Sequence, residues 1–138
     1  MVRHVLLIDA DSSAAHITSA IVQRLAPDVT VACERTPERG WFSAQHQQPD
    51  VLIIDPSPHG PAGTLLIEIC KATWPETRVV VLSSAPTPAL RTQIQQLAVD
   101  AYLEKPAPPT VLIEHLLKIL GTNKFSPQIK EIPSPAPA

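Results

Sequence analysis

Four short apolar stretches of this 138-residue chain end in polar side chains that can handle phosphate. The first runs into Asp9, with Asp11 two positions later, and the second ends at Asp55. The third and fourth end at Ser83 and Lys105. Because the carboxyl ends of parallel strands lie along one edge of an α/β sheet, where ligands usually bind, the sequence predicts that these residues share one pocket.

Such a cluster could transfer a phosphoryl group to a carboxylate. That reaction needs a divalent cation to offset the negative charges and a lysine to hold the transferred oxygens. Asp55 would then be the nucleophile and Lys105 the clamp. Asp9 and Asp11 would supply ligands for the cation, and Ser83 a hydroxyl donor. Mg²⁺ suits this site because it prefers oxygen ligands and is commonly held by one or two carboxylates plus phosphate.

Each of these residues also has an ordinary structural interpretation. Asp9 and Asp11 could cap the helix that follows them, since aspartate is a favoured N-cap residue. Asp55 could end its strand at a turn, and Ser83 alone would be a loop residue. Lys105, taken alone, would be a solvated lysine. The functional interpretation therefore depends on the whole cluster.

The elements that must position the cluster are predicted from periodicity. Short apolar runs alternate with amphipathic segments, which is typical of βαβ units and a parallel sheet. The five strands are predicted at about residues 4–8, 29–33, 51–54, 78–82 and 101–103. A first helix begins with Ser12 or Ser13 as N-cap and ends before Pro27. Four more helices are predicted at about residues 37–47, 62–73, 88–97 and 109–120.

Apolar stripes predict which helix faces lie against the sheet. The stripe of the first helix consists of Ile17, Ile21, Val22 and Leu25, and that of the third consists of Leu65, Leu66, Ile69 and Cys70. The fourth helix has only Leu90, Ile94 and Leu97 to anchor it. A lightly anchored helix can shift at low energetic cost.

Composition restricts the class of protein. The net charge of -2 offers no electrostatic footprint for a polyanion, so we expect no direct binding of nucleic acid. The first apolar run is too short for a signal peptide or membrane span. Cys33 and Cys70 form no CxxC motif and are predicted to be buried thiols in a reducing compartment, the cytoplasm.

The chain changes character after the last predicted helix. Gly121 is the expected C-cap of that helix. Residues 122–138 are rich in proline and lack apolar periodicity, which predicts a flexible or polyproline-like tail. The predicted organisation is one domain over residues 1–121 followed by this tail.

In register and order, the cluster resembles the receiver domain of two-component response regulators, the CheY-like superfamily. The family has an acidic pair after the first strand, a phospho-accepting Asp after the third, Thr or Ser after the fourth, and Lys-Pro after the fifth. The matching residues are Asp9, Asp55, Ser83 and Lys105-Pro106, with Gly60, Gly63 and the segment 100–103 also in place. The resemblance covers about residues 3–121.

The resemblance implies a flavodoxin-like (βα)5 fold, a doubly wound sheet of five parallel strands in the order 2-1-3-4-5 with helices on both faces. It implies a signalling domain rather than an enzyme, which accepts a phosphoryl group on Asp55 from a histidine kinase or phosphotransfer protein. Mg²⁺ would be held by Asp9, Asp55 and the backbone carbonyl of Ser57, with Asp11 as a further candidate.

The resemblance also implies how a signal leaves the domain. Phosphorylation would pull the hydroxyl of Ser83 inward, and Tyr102 in the fifth strand would move into the space left behind. The surface of the fourth helix, fifth strand and fifth helix would then present a changed face to a downstream protein target. The same surface could join two copies in a homodimer.

Three departures from the family pattern leave two hypotheses open. Ala10 stands where the family has its second acidic residue, Pro56 follows the acceptor, and His59 stands where the family has proline. His59 could be an extra ligand or a solvated loop residue. If Ala10 prevents metal binding, the domain is a non-phosphorylated pseudo-receiver that acts as a protein interaction module. A third hypothesis is a flavodoxin-like domain that binds a cofactor. The sequence argues against it, because the chain has carboxylates where such a site needs a glycine-rich loop.

Overall fold

The structure is a computed structural model that describes residues 1–57 and 60–120. The predictions for His59, Gly121 and the tail over residues 122–138 lie outside the described residues.

Five parallel strands form one sheet in the order β2-β1-β3-β4-β5. The strands are β1 (His4–Ile8), β2 (Thr30–Glu34), β3 (Val51–Ile54), β4 (Arg78–Ser83) and β5 (Ala101–Glu104). The helices between and after them are α1 (Ser12–Leu25), α2 (Pro37–His46), α3 (Pro61–Thr73), α4 (Pro88–Leu97) and α5 (Pro109–Leu120). The predicted strand order and fold class are confirmed, and the predicted strand bounds agree within one residue.

Successive strand residues point to opposite sides of the sheet, so an uninterrupted apolar strand has apolar side chains on both faces. Helices cover both of these faces. Leu7 and Ile53 belong to a core cluster that includes residues of α1 and α5. Leu6 and Ile54 belong to a second cluster with residues of α2, α3 and α4. The central strands β1 and β3 are buried throughout, which explains their uninterrupted apolar sequences. The polar residues that follow them are therefore held at fixed positions on the sheet edge.

Side-chain caps define three helix starts. Asp11, and not Ser12 or Ser13, caps α1, since its carboxylate accepts the backbone N–H groups of Ser13 and Ala14. Thr36 caps α2 and Thr87 caps α4 in the same way. The prediction for α1 was wrong because a carboxylate one residue earlier reaches the same donors.

Two predicted helix faces are also wrong in part. Ile17 is 61% exposed and Leu65 is 52% exposed, although both were placed on inward stripes. In α1 the buried residues are Ala15, Thr18 and Val22. Small residues let this helix lie close to the sheet, and they carry little hydrophobic signal in the sequence. The prediction for α4 is confirmed, with Ile94 buried and Leu90 and Leu97 packed against the second core cluster.

The two cysteines differ in exposure. Cys70 is fully buried in α3, whereas Cys33 is exposed, so the prediction of two buried thiols was wrong for Cys33. Cys33 lies on β2, which pairs with β1 at one edge of the sheet that the described residues form. Across residues 1–57 and 60–120, none of the helices has both the length and the apolar character needed to span a membrane.

Candidate functional site

Three of the predicted site residues meet at the carboxyl edge of the sheet. The ammonium Nζ of Lys105 lies 2.6 Å from Oδ2 of Asp9 and 3.2 Å from Oδ2 of Asp55. Asp9 and Asp55 are only 3% and 2% exposed. Their strands β1 and β3 are adjacent, and Lys105 comes from the end of β5. One cation therefore bridges two buried carboxylates.

The electrostatics of the cluster favour its charged forms. Burial alone would raise the pKa of Asp55, but hydrogen bonds from Ser84 and Ser57 and the charge of Lys105 outweigh burial and hold this pKa below its ordinary value. Burial would likewise lower the pKa of Lys105, but its bonds and proximity to Asp9 and Asp55 raise it. Near neutral pH, Asp55 is an ionised carboxylate with a permanent cation beside it.

Backbone donors hold Asp55 from the other side. Its Oδ1 accepts the N–H of Ser57 at 3.1 Å and that of Ser84 at 3.3 Å. Pro56 has no N–H, so the first donor after the acceptor comes from Ser57. Ser84 was not among the predicted site residues. Its position next to Ser83, at the end of a buried strand, was the signal that could have identified it.

Asp11 is placed differently from the other predicted residues. Its carboxylate is occupied as the N-cap of α1, and its side chain is exposed. Its backbone N–H donates to Oδ1 of Asp9 at 2.9 Å. The helix-capping interpretation thus describes Asp11, and its contact with the cluster is through the backbone.

The donor set bears on the predicted metal. In the described part of the chain, no three His, Cys, Asp or Glu side chains lie close enough together to hold an ion. Asp9 and Asp55 supply two carboxylates, which is the number that Mg²⁺ commonly takes from a protein alongside phosphate and water. The residues therefore fit Mg²⁺ held mainly by Asp9 and Asp55, in competition with Lys105.

Gly63 controls how closely α3 approaches the acceptor loop. A Cβ at this position would lie 2.6 Å from the Cα of Pro56 and 2.7 Å from its carbonyl oxygen. Because these are backbone atoms, we expect Gly63→Ala to lower the free energy of unfolding by about 2–3 kcal/mol, measured by urea denaturation. In Gly40→Ala the three nearest atoms are side-chain atoms of Ile8 and Leu66, which can shift more easily than backbone atoms, so the loss should be smaller. Equal losses would contradict this account of Gly63.

Ser83 and Tyr102, the two predicted switch residues, lie on neighbouring strands. Ser83 is fully buried, and its Oγ lies 2.6 Å from the Oγ of Ser57. The hydroxyl of Tyr102 donates to Oε2 of Glu104 at 2.6 Å. Arg91 of α4 binds the same carboxylate through its Nε at 2.6 Å and its terminal nitrogen at 3.2 Å. The sequence contained no signal for the roles of Glu104 and Arg91, because their meeting depends on the packing of α4 against β5.

Burial and Glu104 together raise the pKa of Tyr102. Burial raises the pKa of Tyr102, and the hydrogen bond and charge of Glu104 raise it further, whereas Arg91 lowers it. We therefore expect Glu104→Gln to lower this pKa, since an uncharged acceptor no longer disfavours the phenolate. Arg91→Gln should raise it. Because Tyr102 is the single tyrosine, ultraviolet absorbance of tyrosinate during a pH titration reports on it alone. Shifts of the same sign in both variants would contradict the assignment.

Comparisons with known proteins agree with the site and the fold. The sequence matches the response regulator receiver domain family over residues 5–117. This chain therefore belongs to the response regulator receiver domain family. No curated protein sequence matches it.

Solved receiver domains share the fold at low sequence identity. A CheY-like receiver domain protein from Methanospirillum hungatei JF-1 is 20% identical, with a TM-score of 0.76 over 95% of this chain and 99% of that one. The receiver domain of a DNA-binding response regulator from Colwellia psychrerythraea 34H is 20% identical, with a TM-score of 0.77 over 87% and 99%. The chemotaxis protein CheY4 of Vibrio cholerae is 19% identical, with a TM-score of 0.73 over 86% and 99%. These similarities establish the flavodoxin-like fold.

Proposed function

We propose that this receiver domain accepts a phosphoryl group on Asp55 from a histidine kinase or phosphotransfer protein. The observation that supports this most is the environment of the Asp55 carboxylate. It is 2% exposed, its pKa is lowered, and it has Lys105 at 3.2 Å and two backbone N–H donors on its other oxygen. An aspartate that only ends a strand could accept the N–H of Ser57 in a turn, but it needs no lysine at ion-pair distance.

The proposed reaction is a displacement at phosphorus. An oxygen of Asp55 attacks the phosphorus of a phosphohistidine, the P–O bond forms, and the P–N bond breaks. The imidazole keeps the electron pair of the broken bond, and no proton is lost by the ionised carboxylate. Lys105 would hold the transferred oxygens, Ser84, which already donates to Asp55, would donate to them, and the Ser83 hydroxyl would turn toward them. When bound by Asp9 and Asp55, Mg²⁺ would supply positive charge that offsets the added phosphate charge.

The output surface proposed for this domain comprises α4, β5 and α5. A groove of about 650 Å³ lies there, lined in part by Ile94, Tyr102 and His115. Since α4 is lightly anchored, a charge change at Asp55 could alter this groove, which a downstream protein or a second copy of the chain would bind.

We propose that these events take place in the cytoplasm, because both cysteines are free thiols, as expected in a reducing compartment.

A second candidate function is the pseudo-receiver, which keeps the fold and binds partners without phosphorylation. Two observations favour it. Asp11 caps α1, so within residues 1–57 and 60–120 no third carboxylate compensates for Ala10. In addition, Lys105 already neutralises part of the charge of Asp9 and Asp55. Under this hypothesis neither Mg²⁺ nor a phosphoryl donor changes the domain.

Intact-protein mass spectrometry after incubation with acetyl phosphate and Mg²⁺ separates the two candidates. A phospho-accepting domain should gain the mass of one HPO₃ group, and Asp55→Asn should gain nothing. Asp28→Asn is a matched control, since Asp28 lies in the α1–β2 connection at the opposite end of the sheet, and it should be labelled like the unaltered protein. Absence of the adduct with any phosphoryl donor would favour the pseudo-receiver.

A further inference from the structure

Ser57 contacts both the acceptor and the switch hydroxyl. Its backbone N–H donates to Oδ1 of Asp55 at 3.1 Å, and its Oγ lies 2.6 Å from the Oγ of Ser83. Ser83 is fully buried, so its hydroxyl has no bulk water to bond instead. The Ser57 hydroxyl is therefore the hydrogen-bond partner that the structure gives the Ser83 hydroxyl while Asp55 is unmodified.

The contacts continue from Ser83 to helix α4. Ser83 also lies beside Tyr102 on the neighbouring strand, and its hydroxyl opposes the increase in the pKa of Tyr102 that burial causes. Tyr102 in turn donates to Glu104, which binds Arg91 of α4. The Arg91–Glu104 pair is partly exposed, so it orients Tyr102 more than it stabilises the fold. One buried serine, Ser83, thus lies between the acceptor loop and the Tyr102–Glu104–Arg91 contacts of α4.

We propose that Ser57 is a positioning residue whose side-chain hydroxyl holds Ser83 in the resting arrangement and so raises the threshold for switching. This inference rests on the proposed function. With Ser83 as the donor of this bond, its single O–H proton must leave Ser57 before it can be donated to a phosphoryl group on Asp55. Breaking that bond costs free energy. The phosphoryl group therefore favours the switched state by that much less than it would without Ser57.

Removing the hydroxyl should make switching easier. A hydrogen bond of this kind is worth enough that Ser57→Ala should tighten binding of a phosphoryl mimic by about two- to tenfold. Ser57→Thr retains a hydroxyl and should therefore tighten binding much less than Ser57→Ala does. A purely structural role for Ser57 would instead weaken binding, because a disturbed loop holds Asp55 less well.

Beryllofluoride with Mg²⁺ is a suitable mimic, and fluorine NMR measures its binding. Ser57→Ala should bind more tightly than the unaltered protein, and Ser13→Ala, at an exposed serine of α1, should not differ. In a Ser83→Ala background, Ser57→Ala should have no further effect, since the partner of its hydroxyl is gone. Tightening that persists without the Ser83 hydroxyl would overturn the proposal.

The titration of Tyr102 without any phosphoryl mimic tests the same link independently. Ser57→Ala removes the Ser57 partner of the Ser83 hydroxyl, so the Ser83 proton is more available to the phenol oxygen, which should lower the pKa of Tyr102 further. The double variant with Ser83→Ala should match Ser83→Ala alone. If beryllofluoride fails to bind the unaltered protein, the proposed phosphorylation fails, but this titration still decides the role of Ser57. An unchanged pKa of Tyr102 in Ser57→Ala would overturn the proposed role of Ser57.

Discussion

Lys105→Met is expected to destabilise the domain by about 3 kcal/mol near neutral pH, because it leaves two buried carboxylates without their shared cation. Lys105 is the only side chain that the structure places within ion-pair distance of both Asp9 and Asp55 among the described residues. Its removal should raise the pKa of Asp55 and slow phosphorylation by about a hundredfold or more, since the transferred oxygens lose their clamp. Urea denaturation and the rate of mass gain with acetyl phosphate measure these two effects.

The pH dependence of this loss follows from the sign of the Asp55 shift. The pKa of Asp55 is lowered in the folded domain, so its ionised form stabilises the fold above the unfolded-state pKa. That stability is lost as the pH falls through the folded-state pKa. Without Lys105 this contribution shrinks, so the difference between Lys105→Met and the unaltered protein should be largest near neutral pH and smaller in acid.

Two companion variants make the result specific. Asp9→Asn combined with Lys105→Met removes one of the two charges and should recover part of the lost stability. Lys118→Met, at an exposed position of α5, should change stability little. If Lys105→Met were as stable as Lys118→Met across the pH range, the bridging role of Lys105 would be wrong.

Ala10→Asp is expected to raise Mg²⁺ affinity by about tenfold or more, which corresponds to at least ~1.4 kcal/mol. The reason is ligand charge, because a third carboxylate beside Asp9 and Asp55 strengthens the pull on a divalent ion and competes with Lys105. Arg35 approaches this position, since its terminal nitrogen donates to the Ala10 carbonyl at 3.3 Å. Isothermal titration calorimetry with Mg²⁺ measures the change.

The matched control is Ala10→Asn, which has nearly the same shape without the charge. It should bind Mg²⁺ much like the unaltered protein. Equal affinity in Ala10→Asp and Ala10→Asn would show that the missing carboxylate does not limit metal binding here. The effect of Ala10 on the choice between receiver and pseudo-receiver would then have to lie elsewhere.

The sheet and the main cluster could be predicted because both depend on signals along the chain. Buried parallel strands have uninterrupted apolar sequences, and the residues at their carboxyl ends share one edge of the sheet. This rule is enough to predict that Asp9, Asp55 and Lys105 lie close together, although they are far apart in the sequence. Topology positions such residues regardless of side-chain detail.

Side-chain choices could not be predicted in the same way. Asp11 could reach either the cluster or the first N–H groups of α1, and only the direction of the chain after β1 decides between them. The bond between the hydroxyls of Ser57 and Ser83 depends on the path of the loop after β3. The rotation of a helix about its axis is equally hard to predict from the sequence. In α1, Ile17 is exposed, whereas Ala15 and Thr18 are buried.

The most direct test of the central claim is to identify which residue carries the phosphoryl group. Borohydride reduces an aspartyl phosphate to homoserine, which peptide mass spectrometry locates after proteolysis. Following incubation with acetyl phosphate and Mg²⁺, homoserine should appear at position 55 and at no other aspartate. Its absence from position 55, or its appearance at Asp9 or Asp11 instead, would contradict the assignment of Asp55 as the phospho-acceptor.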